Sequence, residues 1–173
     1  MNLIITCARH LEQETEQELR KTLDEMGDSE PEITITRMSG ILTAKTSLEP
    51  TEATRKIKER LLDEPWSIRY CLRIIPVQRV TETDINEIEK EVLDMKNLIL
   101  EEESYRISVE KRNSDISGQE IISRVAKNIK NKVSLDFPDK IILIEILGNK
   151  TGIGIVKKTD ILSVEKTKRS MSE

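Results

Sequence analysis

The order of apolar patterns along the first 77 residues constrains the fold of this chain more than any other feature. Two segments repeat apolar residues at helical spacing, and four short segments are apolar or alternate with polar residues, as strands do. In chain order they predict a strand over 2–6, a helix over 11–26, a hairpin of 33–36 and 41–45, a helix over 50–64 and a strand over 70–77. The order β-α-β-β-α-β is that of a ferredoxin-like domain, which we place at residues 1–78.

The second half of the chain predicts another small domain at residues 79–165 and a flexible tail at 166–173. Thr83 or Asp84 is expected to cap a helix, and Ser117 with Glu120 forms a capping box before a later one. The remaining patterns predict a helix over 84–98, a strand over 105–113, a helix whose apolar positions extend from 121 to 133, and strands over 141–147 and 151–156. The whole chain is therefore expected to have an α+β fold.

The formal net charge of −4 averages two unlike halves. Residues 1–103 contain 14 Lys and Arg against 23 Asp and Glu, whereas residues 104–172 contain 14 against 8. This asymmetry indicates two roles, with the basic half as the candidate contact for a polyanion. The alternative is one charged surface whose composition drifts along the chain. Only four aromatic residues occur, which argues against a single-stranded nucleic-acid platform built from stacked rings.

Side chains that carry catalysis or bind metals are scarce. His10 is the only histidine and has no evident nucleophile beside it, and Cys7 and Cys71 cannot make a four-ligand zinc site. No phosphate-binding glycine loop is present, so we expect no catalytic residue, no metal and no cofactor. The ferredoxin-like order brings the two cysteines to the same end of the sheet. A disulfide between them is geometrically conceivable, but cytosolic thiols are expected to stay free.

The apolar runs are too short for a membrane span, which needs about 20 residues. The first ten residues lack a basic start followed by a long apolar stretch, so no signal peptide is expected. Gly and Pro are sparse, at 6 and 5 residues, which argues against long disordered linkers. We therefore expect a cytoplasmic protein without membrane contact.

The basic residues of the second half gather around one predicted helix start. Lys111 and Arg112 end a strand, and Ser117 and Gly118 open a helix whose N–H groups and positive dipole end can hold a phosphate. Alone, each basic residue is typical of a solvated surface, but together they favour RNA contacts through phosphates and shape. The candidate RNA-binding residues are Lys111, Arg112, Asn113, Ser117, Gly118, Arg124, Lys127, Lys150 and Lys157.

The sequence from Tyr105 to Val156 resembles the THUMP domain. The likeness lies in the strand that leads into Lys111-Arg112, the SGQE run at a helix start, the VSLDFPD run, the apolar strand after it and a glycine-containing hairpin. With the preceding predicted helix, it covers roughly residues 80–160. The resemblance implies a tRNA-binding module that follows a ferredoxin-like domain. In this family, such modules usually precede a methyltransferase, thiouridine synthase or pseudouridine synthase domain.

The chain shows no catalytic segment after Val156, which makes it more similar to the free-standing THUMP proteins that act as adaptors for the tRNA cytidine acetyltransferase. The resemblance thus implies a non-catalytic protein that presents tRNA to the RNA cytidine acetyltransferase, which forms N4-acetylcytidine. Two alternatives stay open: an adaptor for a methyltransferase or thiouridine synthase, and an interaction or oligomerisation subunit with incidental surface charge. An enzyme would require His10 or a carboxylate in a deep pocket.

Overall fold

The computed structural model describes residues 1–172, which form two compact units. Unit 1 consists of Met1–Pro76 and the described residues from Thr159 onward, and unit 2 consists of Val77–Lys158. The strands and helices are, in chain order, β1 (Leu3–Thr6), α1 (Glu12–Glu25), β2 (Glu32–Ile35), β3 (Ile41–Lys45), α2 (Pro50–Asp63), β4 (Arg73–Pro76), β5 (Arg79–Glu82), α3 (Ile85–Asp94), β6 (Tyr105–Arg112), α4 (Gly118–Ala126), β7 (Lys140–Leu147), β8 (Lys150–Val156), β9 (Leu162–Ser163) and α5 (Val164–Ser170).

The sheet of unit 1 confirms the predicted ferredoxin-like topology. Four of its strands lie in the order β2-β3-β1-β4, and each neighbouring pair is antiparallel. β1 lies between β3 and β4, with Ile4 opposite Thr43 on one side and Ile75 on the other. One apolar core joins this sheet to α1 and α2, and its fully buried members include Leu3, Ile5, Leu19, Leu23, Ile57 and Leu61.

The turn between β2 and β3 depends on a glycine. Gly40 has a φ of 75°, and a Cβ at this position would lie 2.6 Å from the main-chain oxygen of Cys7. The Cys7 N–H donates to the Gly40 carbonyl at 2.9 Å, and the Gly40 N–H donates to the Glu12 carboxylate at 2.9 Å. These bonds hold the hairpin turn against the end of β1, where a larger residue would clash with backbone.

The last strand of the chain adds to the sheet of unit 1, which the sequence did not predict. β9 pairs with β4, where Ser163 lies opposite Arg73. Just before it, the Asp160 carbonyl accepts a hydrogen bond of 2.6 Å from the Thr54 hydroxyl of α2. Because β9 has only two residues, it carries no readable alternation, and its pairing depends on contacts far away in the sequence.

The predicted domain boundaries need correction, because the chain returns to unit 1 after it has formed unit 2. The second unit ends at Lys158, whereas the sequence placed the end of the second domain at residue 165. α5 occupies Val164–Ser170 and packs against α2, where a flexible tail was expected from residue 166. Unit 1 is therefore built from two separate stretches of sequence. The prediction for Glu173 lies outside the described residues.

Unit 2 has a mixed sheet in the order β5-β8-β7-β6, with β6 and β7 parallel. β7 is buried from Ile141 to Leu147, which confirms the strand covered on both faces. The edge strand β5 was not predicted, because its four residues contain a single apolar side chain, Val80. Of the two predicted caps, Asp84 is the one that caps α3, and its carboxylate accepts from the N–H groups of Asn86 and Glu87.

α4 is shorter than the sequence predicts. It ends at Ala126, and Val133, which the helical pattern placed in the core, is 51% exposed. The Tyr105 N–H donates to the Lys132 carbonyl at 3.0 Å, and the Ser134 N–H donates to the Tyr105 carbonyl at 2.9 Å. The segment around Val133 therefore runs beside the start of β6 as extended chain, and its helical spacing of apolar residues was misleading.

Both cysteines of unit 1 are buried free thiols. Cys7 follows β1 and Cys71 precedes β4, so they lie at the same end of neighbouring antiparallel strands, as the topology predicts. Burial raises the pKa of Cys7. Burial, together with the Glu18 carboxylate, raises the pKa of Cys71 well above its ordinary value. Both groups are therefore neutral thiols at physiological pH.

Candidate RNA-binding surface

Most of the predicted RNA-binding residues meet where β6 and β7 end, and we call this end of the sheet the carboxyl edge. The two strands are parallel, with Arg112 opposite Leu147. Gly148 donates its N–H to the Arg112 carbonyl at 2.9 Å as the chain turns into β8. The carboxyl edge contains Lys111, Arg112, Asn113, Ser117, Gly118 and Lys150.

The loop after β6 has a defined conformation. Asn113 has a φ of 55°, a left-handed conformation that asparagine adopts more readily than most residues. The exposed Lys111 ammonium donates to the Ile116 carbonyl at 2.9 Å, which holds the loop close to the strand end. Because an ammonium group has three donors, two N–H directions of Lys111 are left for a ligand.

α4 begins at the same edge. Its cap is Ser117, as predicted, and the Ser117 Oγ accepts from the Glu120 N–H at 3.2 Å. Gly118 lies against β6, where a Cβ would make an ordinary contact of 3.5 Å with Val109. The free N–H groups of the first turn and the helix dipole favour an anion, although Glu120 adds a carboxylate to that turn.

Two of the predicted basic residues already have acidic partners. The Arg124 Nε lies 2.6 Å from the Glu89 carboxylate, and another guanidinium nitrogen donates to Asn86 at 2.7 Å. Since Glu89 and Asn86 belong to α3, Arg124 joins the two helices of unit 2. Lys150 forms an exposed ion pair with Glu82 of β5. An RNA phosphate would compete with a carboxylate at either position.

The structure separates two predicted residues from the others. Lys127 caps the C-terminal end of α4, and Lys157 follows β8, whose Val156 lies opposite Ile141 near the start of β7. Both therefore lie toward the opposite end of the sheet, which we call the amino edge. β6 has eight residues, so the two edges are about 25 Å apart at a rise of about 3.3 Å per residue.

The amino edge also carries exposed side chains that the sequence analysis did not assign to a site. Phe137 is 88% exposed and Leu135 is 71% exposed, in the loop between α4 and β7. The Arg106 guanidinium donates to the Leu135 carbonyl at 3.1 Å and fixes that loop to β6. In the sequence, these exposed apolar side chains are indicated only by an aromatic residue beside a proline, in a segment otherwise rich in lysine, asparagine and aspartate.

Two carboxylates at the amino edge are held in their charged form. Hydrogen bonds from the Ser104 N–H and hydroxyl lower the pKa of Asp139. The Leu100 N–H and the Lys140 ammonium lower the pKa of Glu103. Both carboxylates are therefore charged at neutral pH, and the charge of Glu103 is paired with that of Lys140.

The charge asymmetry in the sequence does not follow the units. Unit 2 contains 14 Lys and Arg against 15 Asp and Glu, a net charge of −1. The division at residue 103 falls inside this unit, because the acidic segment with α3 belongs to it. The basic character is therefore local to the strand ends, loops and α4 and does not describe a whole domain.

Within residues 1–172, no group of His, Cys, Asp or Glu side chains has an arrangement that could hold a metal ion. No helix in that range is long and apolar enough to cross a bilayer.

The fold of unit 2 and the residues at its carboxyl edge define it as an α/β module. Its carboxyl edge is polar and partly basic, and is suited to anions. Residues 82–156 match the THUMP domain family, and this range lies within unit 2. The chain therefore contains a THUMP domain, which is an RNA-binding module, between the two stretches of sequence that form the ferredoxin-like unit.

Comparison with curated proteins finds an uncharacterised protein of Methanocaldococcus jannaschii, MJ0421. It is 28% identical over 127 residues, which cover 70% of this chain and 34% of the relative. The chain thus spans about a third of the length of this relative.

Several solved structures share the fold. PH1313 from Pyrococcus horikoshii has a TM-score of 0.62 at 21% identity, covering 91% of this chain and 55% of its own. TrmN from Thermus thermophilus has a TM-score of 0.60 at 11% identity, covering 90% and 45%. A 4-thiouridine synthetase in complex with RNA and ATP has a TM-score of 0.51 at 14% identity, covering 91% and 42%. At these identities the likeness establishes the fold.

Proposed function

We propose that this chain binds tRNA through the carboxyl edge of its THUMP domain and has no catalytic activity of its own. The observation that carries the proposal is the meeting of Lys111, Arg112 and the N-terminus of α4 at one edge of a THUMP domain. The cationic side chains attract phosphates, and the uncapped N–H groups of α4 supply directed donors. Such contacts read backbone position and RNA shape rather than base sequence.

We further propose that the bound tRNA is presented to the RNA cytidine acetyltransferase that forms N4-acetylcytidine. The support is the resemblance of the sequence to THUMP adaptors for that enzyme. A second candidate has its own support, because TrmN and a 4-thiouridine synthetase share the fold. In that case the same edge serves a methyltransferase or a thiouridine synthetase. The carboxyl edge has the same role in both proposals, and only the partner enzyme differs.

Charge reversal at Lys111 and Arg112 tests the RNA contact. The double variant Lys111→Glu, Arg112→Glu should weaken tRNA binding and reduce its dependence on salt concentration, because fewer counterions are released. The matched control is Lys56→Glu, Lys166→Glu, which makes the same charge change at exposed positions of unit 1. Equal affinities of the two double variants over a salt titration would refute the carboxyl edge as the contact.

The partner enzyme needs a separate experiment. The chain is used as bait in the native host, and captured proteins and RNAs are identified together. An acetyltransferase whose formation of N4-acetylcytidine on tRNA increases when the chain is added would support the first proposal. Capture of a methyltransferase or a thiouridine synthetase would replace it with the second. Tight tRNA binding without any effect on acetylation would refute the adaptor role and leave the RNA contact intact.

A further inference from the structure

Exposed apolar side chains are concentrated at the amino edge of unit 2. The loop between α3 and β6, residues 95–104, and the loop between α4 and β7, residues 127–139, contain five of the six large apolar side chains that are exposed in this unit. We call these two loops the amino-edge patch. Apolar side chains gathered in this way are typical of a surface that binds another molecule. The exposed apolar members of the patch are Leu98, Leu100, Val133, Leu135 and Phe137.

Hydrogen bonds join the two loops of the amino-edge patch and fix their conformation. The side-chain amide of Asn131 donates to the carbonyls of Leu100 at 2.7 Å and of Glu103 at 3.0 Å. The Lys140 ammonium, at the start of β7, donates to the Leu98 carbonyl at 2.8 Å. A surface that is ordered in this way loses little conformational freedom when a partner binds.

The two loops of the patch carry opposite net charges. Residues 95–104 contain one Lys against three Glu, and residues 127–139 contain three Lys against two Asp. Glu101 and Glu102 are exposed in the first loop, and Lys130 and Lys132 are exposed in the second. None of these four side chains forms an ion pair within residues 1–172. Their charges are therefore available to a partner.

We propose that the amino-edge patch binds a second copy of the same chain around a twofold axis. In such an interface both copies present the same surface, so the acidic loop of one copy faces the basic loop of the other at both ends of the contact. The apolar side chains form the centre, with Phe137 as the most exposed among them. The contact covers these side chains and gives the four unpaired charges of each copy partners of opposite sign.

The charges distinguish a second copy from other occupants. A polyanion such as RNA would meet Glu101 and Glu102 as well as the lysines, and a partner with charge of one sign would be repelled by one of the two loops. A second copy brings the opposite charge to both loops. The proposal concerns unit 2 alone and does not depend on RNA binding at the carboxyl edge.

The size of the patch predicts a weak dimer. Fifteen residues of the two loops are exposed, fewer than the about 20–30 residues that a standard interface uses on each side. We therefore expect a dissociation constant in the micromolar range or above. Sedimentation equilibrium of the RNA-free protein, from about 5 to about 500 µM, should show monomer and dimer in exchange.

Charge reversal tests the pairing of the two loops. The variant Glu101→Lys, Glu102→Lys and the variant Lys130→Glu, Lys132→Glu should each associate at least about tenfold more weakly than the unmodified protein, because each brings like charges together at both ends of the contact. An equimolar mixture of the two variants should form a mixed dimer, since every facing pair is then of opposite charge. Phe137→Ser should weaken both the unmodified dimer and the mixed dimer, which a contact made by charges alone would not show.

The matched control is Glu59→Lys, Asp63→Lys, which reverses two exposed acidic side chains of α2 in unit 1 and should leave the association unchanged. A monomer over the whole concentration range, equal weakening by this control, or the lack of a mixed dimer would each overturn the proposal. A monomeric protein whose tRNA affinity falls with Phe137→Ser would overturn it in favour of an RNA contact at the amino edge.

Discussion

The Thr46 hydroxyl donates a hydrogen bond of 2.7 Å to the carboxylate of Asp28, a residue that is only 5% exposed. The N–H groups of Ser47 and Glu30 donate to the same carboxylate at 3.0 and 3.3 Å. Burial acts to raise the pKa of Asp28, but these hydrogen bonds outweigh it and the pKa is lowered. The charged carboxylate therefore joins the loop after α1 to the end of β3.

Asp28 should make the stability of unit 1 depend on acid pH. Because its pKa is lower in the folded than in the unfolded state, it stabilises the fold above the unfolded value of about 3.9. This contribution is lost as the pH falls through the folded value. Asp28→Asn should reduce the free energy of unfolding by about 1–3 kcal/mol at pH 7, and by less in acid.

Urea unfolding at neutral and at acid pH measures this effect, with Asp24→Asn as the control at an exposed position of α1. The control should differ little from the unmodified protein at either pH. A difference between Asp28→Asn and the unmodified protein that stays constant across the pH range would contradict the role given to the carboxylate.

The two buried thiols should resist modification in the folded protein. Cys7 and Cys71 are 8% and 2% exposed, and the raised pKa of each keeps the reactive thiolate scarce. Reaction with Ellman's reagent should be at least about tenfold slower in buffer than in guanidinium, where both thiols should react. Rapid reaction of two thiols in buffer, or a disulfide found by peptide mapping, would contradict this.

Arg124 should contribute more to the stability of unit 2 than to RNA affinity. Its bonds to Glu89 and Asn86 connect α4 to α3, and the Arg124–Glu89 pair is only partly exposed. Arg124→Gln should cost about 1 kcal/mol and lower the melting temperature. Arg124→Lys keeps the charge but not both bonds, so it should retain tRNA affinity while losing stability. An unchanged melting temperature with a large loss of tRNA affinity would show that Arg124 contacts RNA instead.

The sequence predicted those strands and helices whose own apolar spacing and capping residues match the structure that they form. The ferredoxin-like order, the cap at Ser117 and the buried strand β7 follow from apolar spacing and capping residues, and the structure contains them. The edge strand β5 and the two-residue β9 were missed, because short strands are formed by pairing with distant partners. Val133 was misplaced because a helical spacing of apolar residues also occurs by chance in extended chain.

The arrangement of the candidate RNA-binding residues could likewise be predicted only where residues close in the sequence are also close in space. Lys111, Arg112 and the start of α4 lie at one edge of the sheet, because a strand end and the next helix start are close together in the sequence and in space. Lys127 was grouped with them because it lies on the polar side of the same predicted helix, and Lys157 because its hairpin was expected to pair nearby. The directions of the helix and the strands place both toward the amino edge. The partner of Lys150, Glu82, belongs to the unpredicted strand β5, so the ion pair could not be foreseen.

The Lys150–Glu82 ion pair leads to a variant that should bind RNA more tightly than the unmodified protein, because it removes a negative charge from β5. Glu82 is 63% exposed and Lys150 is 52% exposed, so the pair adds little to stability. Glu82→Gln frees the Lys150 ammonium for a phosphate and removes a negative charge from the carboxyl edge. We expect tighter tRNA binding. We also expect the affinity to fall more steeply with salt concentration, by the amount that about one further phosphate contact or less would add.

The matched control is Glu165→Gln, which breaks the exposed pair with Arg169 in unit 1 and should leave the affinity unchanged. Filter binding with tRNA over a salt series measures both quantities. Weaker binding by Glu82→Gln, or the same gain in the control, would show that Lys150 does not contact RNA.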